Sequence, residues 1–124
     1  MRTFLTYTNE ASVIKNPKYQ VMRDRDKKFY FHLKARTGDV IITSKPYECK
    51  DSCVEALNSI KEEADFNFNE LEDKSKKLYS FEVVNHADEL IASSENYTTR
   101  IGRGKGILSV MRIVCHAPVE DMTA

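Results

Sequence analysis

The 124-residue sequence has no net charge, few cysteines and no long apolar run. Its 19 lysine and arginine side chains balance 19 aspartate and glutamate side chains. A dedicated nucleic-acid domain, an acidic tail or a cationic membrane peptide would each need a strong excess of one sign. The balance excludes these classes, while a hydrophobic content of 41% is enough for a folded core.

The three cysteines, Cys49, Cys53 and Cys115, are too few, and odd in number, for the disulfide framework of a secreted scaffold. Apolar runs such as 29–31 and 40–42 are far too short to span a bilayer, and the N-terminus lacks the apolar segment of a secretory signal. We therefore expect a soluble cytoplasmic protein without a membrane contact.

The chain resembles itself at an offset of 50 residues, without gaps. Identical residues recur at this offset, including the pairs Phe31 and Phe81, Ser44 and Ser94, and Tyr47 and Tyr97. A fixed period of this length is typical of repeated structural units. We predict an N-terminal extension over 1–17, repeats over 18–67 and 68–117, and a C-terminal tail over 118–124.

Each repeat has the pattern of three strands followed by a helix. Residues 29–34 alternate apolar and polar side chains, as expected of a strand with one buried face. Gly38 suits the positive-φ position of the following hairpin, and its counterpart Asp88 tolerates that region better than most residues. Before the first helix, Ser52 and Glu55 have the spacing of a capping box.

Helical spacing predicts the buried faces of the two helices. The first face comprises Cys53, Ala56, Leu57, Ile60 and Ala64. The second helix is predicted from about Arg100 to Arg112, with Ile107, Val110 and Val114 on its face. One unit cannot bury its sheet face alone. We therefore predict an α+β fold in which two tandem units form one antiparallel sheet with both helices packed on one face.

Residues 29–35 and 43–47, together with 105–110 in the second helix, resemble the YegP-like family of small bacterial proteins. The resemblance covers about residues 19–113. It implies tandem β-β-β-α-β units that exchange their C-terminal strands, here 66–72 and 113–116. It implies no activity, because the function of this family is unknown.

Candidate chemistry is sparse. Cys49, Cys53, Cys115 and His116 are four potential zinc ligands, but they lack a Cys-x-x-Cys knuckle, and cysteines acting as small hydrophobic residues are the better interpretation. No histidine is obviously poised beside a nucleophile, and no Gly-x-Ser-x-Gly elbow occurs. We predict no catalytic, metal-binding or cofactor-binding residue and a protein that is not an enzyme.

The glycine-rich run 100–106 lacks the Gly-x-x-x-x-Gly-Lys-Ser/Thr spacing of a phosphate cradle. Gly106 aligns with Ala56 on the packed helix face, so close helix packing explains it better. Tyr47 and Tyr97 could flank a groove for a ligand or partner, although anchoring of a loop by the ring and hydroxyl is the favoured interpretation.

We predict a small non-enzymatic binding or interaction protein, monomeric or homodimeric, with a protein or small ligand as its partner. The alternative is weak nucleic-acid binding through the basic run from Arg100 to Arg112, with Arg100, Arg103 and Lys105 as contacts.

The neutral total conceals a charge polarity. Residues 1–62 carry a net charge of +4 and residues 63–124 a net charge of −4. The segment 62–73 alone holds six acidic side chains and no basic one. We expect the partner to bind at this polarised surface.

Overall fold

Backbone hydrogen bonding builds three strands before each of two helices, and a short strand at the end of the chain. A computed structural model describes residues 16–124. In chain order the elements are β1 (Lys18–Arg23), β2 (Phe29–Lys34), β3 (Val40–Ser44), α1 (Lys50–Glu62), β4 (Asn67–Asp73), β5 (Leu78–Val84), β6 (Leu90–Ser94), α2 (Arg100–Ile113) and β7 (Val119–Asp121). The extension predicted over 1–17 lies, up to residue 15, outside the described residues.

The strands form one seven-stranded sheet in the order β4-β5-β6-β3-β2-β1-β7. Neighbours among β1–β6 pair antiparallel, and the central β3–β6 pair joins the two halves of the chain. The prediction of an entirely antiparallel sheet was wrong, because β7 pairs parallel with β1. The chain reaches β7 by a long crossover through α2, the kind of connection that parallel neighbours require.

Both helices cover the same face of this sheet. In the first half, Leu33 of β2 lies opposite Ile42 of β3. Ala92 of β6 lies opposite Ser44 of β3 on one side and opposite Val83 of β5 on the other. Directly opposed residues in antiparallel strands project to one side, as do residues two apart in a strand. Leu57 of α1 and Val110 of α2 join the same buried cluster on this side. The α+β fold expected from the sequence is confirmed.

The start of α1 differs from the prediction. The helix begins at Lys50 after the N-cap residue Cys49, whose side chain makes no capping hydrogen bond. The capping box at Ser52 was therefore wrong, and the Ser52 hydroxyl instead lies 3.2 Å from the Cys49 Sγ atom. In α2 the N-cap is Thr99, whose hydroxyl accepts a hydrogen bond from the amide of Gly102 at 2.9 Å.

The ends of both helices also correct the sequence analysis. Ala64, predicted on the buried face of α1, follows the helix in a left-handed conformation with a φ of 51°. The strand predicted over 113–116 was wrong, because Ile113 ends α2 and the next residues continue in turns until Pro118. Pro118 has no N–H to continue the helical hydrogen bonds, and the final strand follows it at Val119.

The first strands of the two halves correspond at an offset of 49, not 50. Val21 pairs with Phe31 and Glu70 pairs with Phe81, although Phe31 and Phe81 lie 50 residues apart. The turn before β5 is therefore one residue longer than the turn before β2. As a result, Glu70 stands where the other half has the buried Val21.

The two hairpin positions with predicted left-handed backbone are confirmed. Gly38 has a φ of 92° and Asp88 a φ of 65°.

Candidate functional site

Tyr47 and Tyr97 hold equivalent positions after the third strand of each half. Tyr47 exchanges two backbone hydrogen bonds with Phe29, at 2.8 and 2.7 Å, and Tyr97 exchanges the same two with Tyr79. Both tyrosines therefore fasten the segment that leads into a helix to the second strand of its own half. These contacts are made by the backbone, so the anchoring of the loop by the ring and hydroxyl stays a prediction.

A cleft lies beside each tyrosine, between the helix of one half and the hairpin of the other. The Tyr97 cleft, of about 610 Å³, is lined by residues that include Tyr97, Lys105, Ser109, Thr37 and Asp39. The Tyr47 cleft, of about 320 Å³, is lined by residues that include Tyr47, Glu55, Ser59, Asn85 and Glu89. Lys105 and Glu55 hold equivalent helix positions, so the clefts present opposite charges at this point.

The phenol groups of the two tyrosines are partly buried in different surroundings. Burial raises the pKa of Tyr47 to about 12, with the charges of Cys53 and Glu89 adding to the effect. Its buried hydroxyl has no hydrogen-bond partner within the described residues. Burial also raises the pKa of Tyr97, whose ring stacks on Phe81 with the centroids 6.4 Å apart. Both phenols are therefore protonated at neutral pH.

The four basic residues of α2 fall into two groups. Two contact residues of β4, and two line the Tyr97 cleft or a hollow next to it. Arg103 is only 9% exposed, and its Nη1 atom donates a hydrogen bond to the carbonyl of Leu71 at 2.8 Å. Arg100 lies 3.3 Å from the carboxylate of Glu72. Lys105 lines the cleft, and Arg112 lines the hollow. Two of the four cations thus fasten α2 to β4.

Sequence reasoning missed this contact between α2 and β4. Arg103 Nε lies 3.7 Å from Glu70, and its guanidinium group lies 5.5 Å from the ring centre of Tyr79. At the gapless offset of 50, Glu70 aligned with Gln20 and not with buried Val21. The acidic side chain was therefore assigned to a solvated run, and nothing in the sequence placed it opposite a buried arginine.

β1 and β4 are equivalent strands with different outer neighbours. The amide of Tyr19 in β1 donates to Pro118 at 2.8 Å, and the carbonyl of Val21 accepts from Met122 at 2.9 Å. Within residues 16–124, β4 pairs with β5 alone and forms the other edge of the sheet.

The backbone direction in β4 follows from its partner strand. The amide of Phe81 donates to the Ser94 hydroxyl on the β6 side at 2.9 Å. In an antiparallel ladder, the residue opposite Phe81 must then direct its own N–H and C=O away from β5. That residue is Glu70, and Phe68 two positions earlier has the same direction. The outer edge of β4 therefore offers backbone donors and acceptors in the order that β1 offers to β7.

The equivalent strands β1 and β4 carry opposite charges, because β1 holds Lys18 and Arg23 whereas β4 holds Glu70, Glu72 and Asp73. β7 brings Glu120 within 3.1 Å of Lys18 on β1, and Asp121 forms an ion pair with Lys50 of α1. β4 and the residues before it carry the acidic run 62–73. The basic strand β1 is thus covered by an acidic strand, whereas the acidic strand β4 forms an edge of the sheet that residues 16–124 build.

The cysteines and histidines considered for metal binding or catalysis are dispersed. Burial raises the pKa of the Cys53 thiol to about 11, whereas Cys49 and Cys115 are exposed. His32 hydrogen-bonds to Gln20 at 2.7 Å on the sheet face opposite the helices. No three metal-ligating side chains gather anywhere in 16–124, and no helix in this range is long and apolar enough to cross a membrane.

Comparison with known proteins places this architecture in a family. A domain of unknown function, DUF1508, matches residues 24–65. A UPF0339 protein of Photorhabdus laumondii is 34% identical over 107 residues, covering 85% of this chain and 93% of the relative. The UPF0339 protein YegP of Yersinia pestis is 25% identical over 109 residues, covering 85% of this chain and 95% of that protein.

Two solution NMR structures have the same fold. A UPF0339 protein of Shewanella oneidensis matches with a TM-score of 0.76 and 26% identity, over 86% of this chain and 92% of that one. YegP of E. coli, a protein of unknown function, matches with a TM-score of 0.75 and 26% identity, over 86% and 93% of the respective chains. The resemblance noted in the sequence is confirmed: the chain belongs to the UPF0339, or YegP-like, family, whose function is unknown.

Proposed function

We propose that the protein is a non-enzymatic interaction protein that binds an extended segment of another protein at the outer edge of β4. One observation carries the proposal: β1 has β7 as its outer neighbour, whereas the equivalent strand β4 has none among residues 16–124. A strand edge with open N–H and C=O groups is a template for the addition of another strand.

The properties of β4 support this use. It is seven residues long, contains neither proline nor glycine, and is exposed along most of its length. Its side chain Leu71 is 42% exposed. Protein edges are usually blunted by proline, bulges or charge, and β4 has only the charge. Acidic side chains oppose pairing with another acidic strand but not with a strand of different composition.

We further propose that the protein acts as a monomer in the cytoplasm. The third strands of the two halves, β3 and β6, pair with each other, so neither strand needs a second chain as its pairing partner. All three cysteines are free, and two of them are exposed, which suits a reducing compartment.

We also infer that the two halves descend from one duplicated β-β-β-α unit. Three features at an offset of 50 support duplication: the Tyr47 and Tyr97 backbone bridges, the left-handed backbone at Lys27 and Lys77, and the two serine hydroxyls that accept from the amides of Phe31 and Phe81. The one-residue shift in the first strand is then a later insertion in a polar turn.

Strand addition at β4 can be tested with an array of seven-residue peptides of varied charge. A Glu70→Pro variant removes an outward N–H that the sheet itself does not use, and edge strands tolerate proline at such positions. We expect peptides bound by the wild-type protein to lose binding to Glu70→Pro and to retain most of it with Glu70→Asp, which keeps both the N–H and the negative charge. Thermal unfolding of both variants checks that they fold. Peptides that bind wild type and Glu70→Pro equally would contradict the proposal.

A further inference from the structure

We propose that the segment bound at β4 is basic and runs parallel to β4, an inference that rests on the proposed function. The molecule contains its own example of such an addition in β7, which covers the equivalent edge. The orientation and the charge of the partner both follow from comparing the two edges.

The orientation follows from the β1–β7 pair. β7 runs parallel to β1, with Tyr19 opposite Val119 and Val21 opposite Asp121. Phe68 and Glu70 stand at the places of Tyr19 and Val21 and direct their backbone groups outward in the same way. A strand added in the manner of β7 would therefore place its residues opposite Phe68 and Glu70 and run in the direction of β4.

The charge follows from complementarity. On the covered edge, acidic residues of β7 contact Lys18 and Lys50. On β4 the side chains of Glu70, Glu72 and Asp73 line the strand. Arg100, the counterpart of Lys50, is already paired with Glu72, whereas Glu70 remains 59% exposed beside Arg103 and presents the free acidic side chain. Opposite charges across a strand pair are stabilising and like charges are destabilising. Lysine or arginine is therefore the complementary residue opposite Glu70. Asp121 holds the equivalent position opposite Val21 in the β1–β7 pair.

The same charges disfavour a second copy of the chain as the occupant. Pairing of two β4 strands would bring two acidic edges together, with carboxylates facing carboxylates. β7 is no better as a donor from another molecule, because Glu120 and Asp121 would face the acidic strand. The partner is therefore a different protein with a basic extended segment.

Two peptides derived from β7 test this inference on the full-length protein. The first copies residues 117–123 with Glu120→Lys and Asp121→Lys, and the second copies the same residues unchanged. We expect the lysine peptide to shift the backbone amide resonances of Phe68 and Glu70, and to bind at least about tenfold more tightly than the unchanged peptide. Equal binding of the two peptides would overturn the charge assignment while leaving strand addition intact.

A nitroxide on the N-terminus of the lysine peptide reports its direction. The ends of β4 lie about 20 Å apart at roughly 3.3 Å per residue, so the label distinguishes them. Parallel addition predicts broadening of the Asn67 amide, and broadening centred on Asp73 instead would overturn the orientation. If neither peptide affects β4, or if self-association of the protein shifts the same amides, both the inference and the proposed function fail.

Discussion

The hydroxyl group of Tyr97 lies over Gly106, so that a Cβ atom on this residue would come within 2.3 Å of the tyrosine oxygen. The ring cannot move freely, because it is stacked on Phe81, whose own ring would lie 3.2 Å from the added atom. Gly106 is thus required by the tyrosine that fastens the start of α2 to β5. The equivalent Tyr47 stands in a half that has Ala56 at this position, so the two rings are seated differently.

This contact predicts opposite effects of alanine at two glycines of one helix. Gly106→Ala should lower the free energy of unfolding by about 1–2 kcal/mol, because overpacking outweighs the gain in helix propensity. Gly104→Ala meets no atom within 4 Å and should raise it by up to about 1 kcal/mol. Urea unfolding of both variants measures the difference. Equal stabilisation by the two alanines would refute the close packing.

The arginines of α2 predict a second contrast. Arg103→Ala should cost about 1.5–3 kcal/mol, since it removes a buried charged donor from the Leu71 carbonyl. Arg100→Ala should cost less than about 1 kcal/mol, because its ion pair with Glu72 is at the surface. Chemical unfolding again provides the measurement. A cost for Arg100→Ala as large as that for Arg103→Ala would show that the two arginines contribute alike.

The two helix starts predict a third contrast. Thr99→Ala removes the hydroxyl that accepts from the Gly102 amide and should lower the stability by about 1 kcal/mol. Ser52→Ala should change it by less than about 0.5 kcal/mol, because Ser52 caps no amide of α1. The thermal midpoints of the two variants test this assignment, and a larger loss for Ser52→Ala would restore the capping box.

The attachment of β7 should depend on pH at the acidic end of the scale. Hydrogen bonds from Lys50 and Thr123 lower the pKa of Asp121 from 3.8 to about 2. A carboxyl group whose pKa is lower in the folded state stabilises that state above its ordinary pKa, and this contribution is lost as the pH falls towards 2. The carboxyl resonance of Asp121 should therefore titrate near pH 2.

A Lys50→Met variant provides the control for this titration. It should move the pKa of Asp121 back towards 3.8, because the largest cause of the shift is removed. An unchanged titration in Lys50→Met, or an ordinary pKa in the wild-type protein, would contradict the attachment of β7 through this ion pair.

The parts of the fold that were predictable are those with a strong local pattern. The alternation in 29–34 marks β2, and the spacing around Leu57 marks α1. β7 was not predictable in its place, since three exposed residues have no periodicity and their pairing depends on the crossover from α2. The start of α1 was missed because cysteine, an uncommon capping residue, stands at the N-cap.

The candidate site was only partly predictable for a related reason. The acidic run 62–73 was visible in the sequence, as was the polarity between the halves. Among the described residues β4 forms an edge and Glu70 directs its backbone outward, and both depend on the strand order and on a one-residue shift in a turn. Residue identities are too few in this region to reveal such a shift.

The central claim, that β4 accepts an added strand where β1 already has one, is tested most directly by amide hydrogen exchange of the full-length protein. In the free protein we predict slow exchange for Tyr19 and Val21, beneath β7, and fast exchange for Phe68 and Glu70. Addition of the lysine peptide should slow exchange at Phe68 and Glu70 and leave Tyr19 and Val21 unchanged. Slow exchange at Phe68 and Glu70 in the free protein, or no slowing with the peptide, would contradict the claim.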